Sequence, residues 1–165
     1  MVIKGLLDED FTNYKKPSMY IAFPTCTFKC REESGCTCLN ENIIFSPQIH
    51  ITTEEVVNRY LSNPITKAFV FAGLEPFDSV DDLVALIHSI RKRTVDDIVI
   101  YTGYTKEEVK KILGDDLAKI TKYAGNIIVK YGRYIPNRPS RFDEELGVTL
   151  ISDNQFAENI KLLLV

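Results

Sequence analysis

Outside the stretch Phe23 to Asn40 the chain has no cysteine: all four lie there, and the rest of the 165 residues carries none. Nor does any apolar run approach the ~18 residues of a membrane-spanning helix. The N-terminus, Met1 to Asp10, lacks the apolar run and small-residue cleavage site of a secretory leader. These absences predict a cytoplasmic protein with no membrane contact, where a disulfide framework is disfavoured and clustered thiols bind metal or do redox chemistry. No repeat at periods of roughly 20 to 50 residues and no low-complexity tract is found, which excludes solenoids. Basic excess is missing too, with 20 Lys and Arg against 23 Asp and Glu and a net charge of −3. The short basic groups Lys15-Lys16, Arg91-Lys92-Arg93 and Lys110-Lys111 are interleaved with acids and read as solvated faces, so no nucleic-acid surface is expected. Histidine is scarce, and neither His50 nor His88 is spaced to the cysteines as a ligand.

What is there is a set of four thiols, Cys26, Cys30, Cys36 and Cys38, in a polar, Gly-containing stretch with the spacing C-x3-C-x5-C-x-C. Thiols packed so closely read as ligands. The spacing departs from the paired C-x2-C knuckles of structural zinc and from the C-x2-C-x2-C run of bacterial ferredoxins. Cys36 and Cys38, with one spacer between them, would crowd a single four-iron cubane, so one of the two is expected not to ligate. Three thiolates leave one iron free for a substrate, whereas four would close the site and suit electron transfer. A zinc-stabilised binding module is a third possibility.

Length and a 45% hydrophobic composition fit one domain over residues 1–165. Residues 1–18 read as an irregular N-terminal segment, 23–40 as the ligand loop and 131–165 as a C-terminal extension. Buried strands are predicted at Met19 to Phe23, Ala68 to Ala72, Ile98 to Tyr101 and Asn126 to Lys130, with a further strand near Val148 to Ile151. Between them, Thr52-x-x-Glu55 and Thr105-x-x-Glu108 are capping boxes opening helices, Ser79 is a predicted N-cap, Gly114 a stop, and Asp115 to Tyr123 a short helix. Strands alternating with helices predict parallel pairing and right-handed crossovers. With so few units the α/β fold is expected to be a partial, open (β/α) barrel. The loop of thiols, Gly73-Leu74-Glu75-Pro76, Thr102-Gly103-Tyr104 and Tyr131-Gly132-Arg133-Tyr134 each follow a strand, so one rim should gather them around one site.

These motifs, in this order, resemble the radical S-adenosylmethionine superfamily, and within it the activating proteins of anaerobic ribonucleoside-triphosphate reductase. That family has C-x3-C-x2-C after its first strand, with an Asn two residues beyond the third cysteine. Cys26-x3-Cys30 matches the first half, and Cys38-Leu39-Asn40 resembles the second after a five-residue insertion; if Cys36 were the third ligand the insertion would be three. Gly73-Leu74-Glu75-Pro76 is similar to the family's Gly-Gly-Glu-Pro. The run Ile100 to Glu108, Gly132-Arg133-Tyr134 and Ser152-Asp153-Asn154-Gln155 also have counterparts there, so the match extends from about Met19 to Gln155.

The resemblance implies a [4Fe-4S] cluster held by Cys26, Cys30 and Cys38, with Cys36 the alternative third ligand, and S-adenosyl-L-methionine chelating the fourth iron. It implies that Gly73, Leu74, Glu75, Thr102, Gly103 and Tyr104 bind that cofactor, Glu75 orienting its amino group. No acid-base catalytic residue is expected, because the chemistry is carried by the cofactor. Implied partners are the large subunit of anaerobic ribonucleoside-triphosphate reductase, which would receive a glycyl radical, and an electron donor such as flavodoxin or ferredoxin. Another glycyl radical enzyme or a small molecule could take the substrate's place. Plainer roles stand beside these: Glu75 as a helix-start acid, Tyr104 as packing, Thr105 as a cap, Arg133 as an ion-pair partner.

Overall fold

Period-two runs and capped amphipathic segments decide the elements here. The computed structural model describes residues 1–165. Its strands are β1 (Val2–Ile3), β2 (Gly5–Asp10), β3 (Ser18–Phe23), β4 (Ile49–His50), β5 (Ala68–Gly73), β6 (Asp97–Tyr101), β7 (Ile127–Tyr131), β8 (Arg141–Asp143), β9 (Val148–Leu150) and β10 (Phe156–Asn159). The helices are α1 (Lys29–Ser34), α2 (Glu41–Ile44), α3 (Thr53–Leu61), α4 (Val80–Arg91), α5 (Lys106–Leu113) and α6 (Asp115–Thr121). Six strands form the central sheet in the order β10-β7-β6-β5-β3-β2. The inner four, β3, β5, β6 and β7, run parallel, while β2 and β10 pair antiparallel at the two edges. The chain is therefore one mixed α/β domain built on a mostly parallel sheet.

Alternation along these strands gives the sheet two different faces. Met19, Ile21, Phe23, Phe69, Phe71, Ile98, Ile100, Ile127 and Val129 point to the helices and form the main core. Tyr60 of α3 stacks on Phe69 with centroids 3.9 Å apart. Each such side chain stabilises the fold by roughly 1.5–3 kcal/mol through burial. On the other face Ala68, Val70, Val99 and Ile128 are covered by Tyr14, Leu146 and Leu150. Nearer the carboxyl ends of the strands that face instead presents Tyr20, Ala72, Tyr101 and Lys130 to a cavity.

Both capping boxes form. Thr52 Oγ1 accepts from Glu55 N at 3.1 Å while Glu55 Oε2 accepts from Thr52 N at 2.7 Å. At α5 the corresponding distances are 3.3 and 2.9 Å. Ser79, predicted as an N-cap, makes no capping bond; its hydroxyl meets that of Thr25 at 3.0 Å, and the Glu75 side chain caps the preceding 3-10 turn, Pro76–Ser79.

Two expectations are corrected. Residues 1–18 are not irregular: β1 pairs with β4, and β2 zips along β3 from Gly5↔Ala22 to Asp10↔Ser18. An edge strand tolerates the acids of Gly-Leu-Leu-Asp-Glu-Asp because one side faces water, and that composition hid it. Nor is 131–165 an appendage. Tyr131 ends β7, and β10 returns to close that edge of the central sheet, while the predicted strand near Val148 forms β9 and pairs with β8 outside it. No helix is long and apolar enough to cross a membrane.

Candidate functional site

Each inner parallel strand runs out at the same edge, and the turn that follows lines one cavity of ≈ 730 Å³. That volume lies within the roughly 300–1,000 Å³ of cofactor sites. Its wall includes all four cysteines, the turn Gly73-Leu74-Glu75, the turn Thr102-Gly103-Tyr104, and Gly132-Arg133-Tyr134. Every site residue named from the sequence is thus brought to one place. Neither histidine is there: His50 is exposed, and His88 Nδ1 lies 2.8 Å from Tyr123 Oη on the helical side.

The thiol loop is shaped by two left-handed residues. Phe28 (φ 56°) opens α1 and Gly35 (φ 63°) ends it, with Gly35 N donating to Arg31 O at 2.8 Å. Cys26 Sγ accepts from Phe28 N at 3.2 Å, and Cys36 Sγ sits 3.6 Å from Cys30 O. All four cysteines are half-buried and free. No three Cys, His, Asp or Glu side chains gather closely enough to hold a single metal ion; the sulfurs are spread around the wall.

Backbone contacts lock the loop to the strand ends. Asn40 Nδ2 donates to Gly73 O at 2.7 Å, Glu75 N to Thr25 O at 2.9 Å, and Leu74 N to Phe23 O at 3.3 Å. Gly73 (φ +88°) lies so close to β3 that a Cβ there would sit 2.6 Å from Ala22 Cα, so only glycine fits. Leu74, next to it, is accommodated without strain, because Phe28 and Asn137 are the only non-glycine residues with positive φ.

Glu75 is the hub between turns. Its carboxylate accepts from Thr102 Oγ1 at 2.7 Å, Gly103 N at 2.9 Å and Phe77 N at 3.2 Å. Burial nevertheless pushes its carboxyl up to about 7. Tyr104 Oη donates to Asp78, whose other oxygen accepts from Thr27 N at 2.8 Å, so Tyr104 braces the thiol loop as well as lining the cavity. Arg133 forms a fork with Glu108, both bonds 3.2 Å, its plain ion-pair reading. Burial raises the Cys26 thiol to about 11, with Glu75, Asp78 and Cys30 adding to it; Cys30 is raised by burial and then by Cys36 and Cys38. Iron binding must therefore release protons from these thiols.

Sequence reasoning missed Lys130. Its ammonium is buried in the cavity wall, makes no ion pair, and donates only to Gly132 O at 3.1 Å and Thr102 O at 3.5 Å. Burial lowers its pKa to about 8. The available signal was one lysine in the apolar run Ile-Ile-Val-Lys-Tyr, at the register of the non-helical face.

A family model described as a 4Fe-4S single cluster domain matches residues 18–146, from the start of β3 through Leu146. The chain belongs to that family. It is an iron-sulfur protein, and four free thiols around one cavity, with no histidine among them, are the donor set such a cluster takes. Comparison with curated proteins and with solved structures gives no match.

Proposed function

We propose that the chain is a radical S-adenosylmethionine activating enzyme that places a glycyl radical on the large subunit of anaerobic ribonucleoside-triphosphate reductase. The observation that carries it is the convergence of three separate turns, the thiol loop, Gly73-Leu74-Glu75 and Thr102-Gly103-Tyr104, on one cavity at the carboxyl edge of the sheet. Bound there, the cluster and S-adenosylmethionine would supply one-electron cleavage of the sulfonium to methionine and a 5′-deoxyadenosyl radical. Cys26, Cys30 and Cys38 would hold three irons. Glu75 fixes the turn at Gly103 and supplies negative charge for an ammonium group, while Lys130 offers an unpaired cation for a carboxylate. The sheet would serve as the wall of a partial barrel whose open side admits a loop of the large subunit. A cytoplasmic location and a flavodoxin or ferredoxin as electron donor complete the proposal.

Anaerobic reconstitution should give about four irons per chain, and S-adenosylmethionine should shift the reduced cluster's electron paramagnetic resonance signal. An unchanged signal on saturation with the nucleoside overturns it. A second reading, an electron carrier closed by all four cysteines, is favoured by one fact: Cys36 lines the same cavity as the other three. Cys36→Ser would then destroy the cluster as completely as Cys38→Ser.

A further inference from the structure

The inserted residues do more than lengthen the loop. α1, bounded by left-handed Phe28 and Gly35, turns the chain back so that Cys36 Sγ comes to the Cys30 backbone carbonyl. Cys36 Sγ donates toward Cys30 O at 3.6 Å, Ser34 Oγ donates to the same carbonyl at 2.7 Å, and the Ser34 oxygen lies 3.3 Å from Cys36 Sγ. A fourth thiol therefore stands in the wall of the same cavity as Cys26, Cys30 and Cys38, in no disulfide.

We propose that Cys36 is an exchangeable fourth ligand, bound to the otherwise open iron until S-adenosylmethionine takes that iron and Cys36 is released. This rests on the activase function proposed above. In the exchange the Fe–Sγ bond of Cys36 would break and the released thiolate take up one proton, while the α-ammonium group of the nucleoside gives one up so that its amino nitrogen and carboxylate bond to the iron; no electron moves. Capping the fourth iron protects it from loss while the cavity is empty. The site is then closed at rest and open only when its cosubstrate is present.

The test uses the full chain loaded anaerobically with iron and sulfide. Brief ferricyanide oxidation should leave wild type largely four-iron, whereas Cys36→Ala should give a several-fold larger three-iron paramagnetic signal. Adding S-adenosylmethionine to wild type should make Cys36 alkylatable by iodoacetamide, mapped by mass spectrometry, while Cys26, Cys30 and Cys38 stay protected. Equal three-iron signals, with Cys36 alkylated equally whether or not the nucleoside is present, overturn the exchange and leave the activase function standing. Cys36 protected throughout, with no spectral response to the nucleoside, overturns both, since the cluster is then permanently closed. If Cys36→Ala does not assemble, the wild-type alkylation experiment decides alone.

Discussion

Replacing Lys130 with methionine should make the chain more stable and its site worse. The ammonium is buried with no carboxylate partner, and burial holds its pKa at about 8 against 10.5 in the open chain. Between those values the unfolded chain binds more protons than the folded one, so stability rises with pH there and the penalty is complete below the folded value. The difference corresponds to ~3 kcal/mol at pH 7, falling to ~1 kcal/mol at pH 9.5. Against this stands the lost bond to Gly132 O, at about 1 kcal/mol; that carbonyl still accepts from Gln155 Nε2 at 3.1 Å and is not orphaned. The Thr102 contact at 3.5 Å is too long to add much. Lys130→Met should therefore gain about 2 kcal/mol at pH 7 and almost nothing at pH 9.5. In a domain of this size that is a melting shift of roughly 4–8 °C at the lower pH, read by calorimetry on anaerobic cluster-loaded protein at one scan rate. The same variant should bind S-adenosylmethionine at least tenfold more weakly. A variant less stable than wild type at pH 7, or a gain equal at both pH values, refutes the reasoning.

The Glu75 carboxyl, raised by burial to about 7 from 4.5, makes the folded chain the better proton binder in that interval, so its contribution to stability should decline as pH rises from about 4.5 to 7. Melting temperatures from pH 5.5 to 8 should fall more steeply for wild type than for Glu75→Gln, and parallel profiles would contradict this. Thr105→Ala removes the hydroxyl that accepts from Glu108 N and should cost about 1 kcal/mol, seen as a melting temperature lower by roughly 2–4 °C. Gly73→Ala drives a methyl to 2.6 Å from Ala22 Cα and should prevent soluble expression or iron loading; a normally loaded, stable variant would disprove the close approach.

Much of this architecture could be read in advance because it is written locally. The Thr-x-x-Glu pairs announce α3 and α5, and four apolar runs separated by capped helices announce four parallel strands with their turns at one rim. What escaped were features decided by distant partners. β2 is held by β3 and carries acids that its own composition reads as loop, and β10 becomes a strand only against β7. Ser79 looked like a cap, but Glu75 reaches the turn first. At the site, motif order brought together the thiols and the turns at Glu75 and Thr102, while Lys130 went unnoticed because a single charge in a hydrophobic strand belongs to no motif. Tyr104 is expected from the sequence either to pack or to bind the cofactor; in the structure it braces the thiol loop through Asp78 and stands in the cavity wall.

The two-sided central sheet separates what the molecule must keep from what it can alter. Tyr131 and Lys130 are neighbours in the chain, yet one belongs to the core and the other to the cavity. A substitution at Tyr20, Ala72, Tyr101 or Lys130 can change the size and charge of the chamber without disturbing the helical side. Selection, or a protein engineer, could therefore adapt this scaffold to a differently shaped guest by editing alternate residues of four strands.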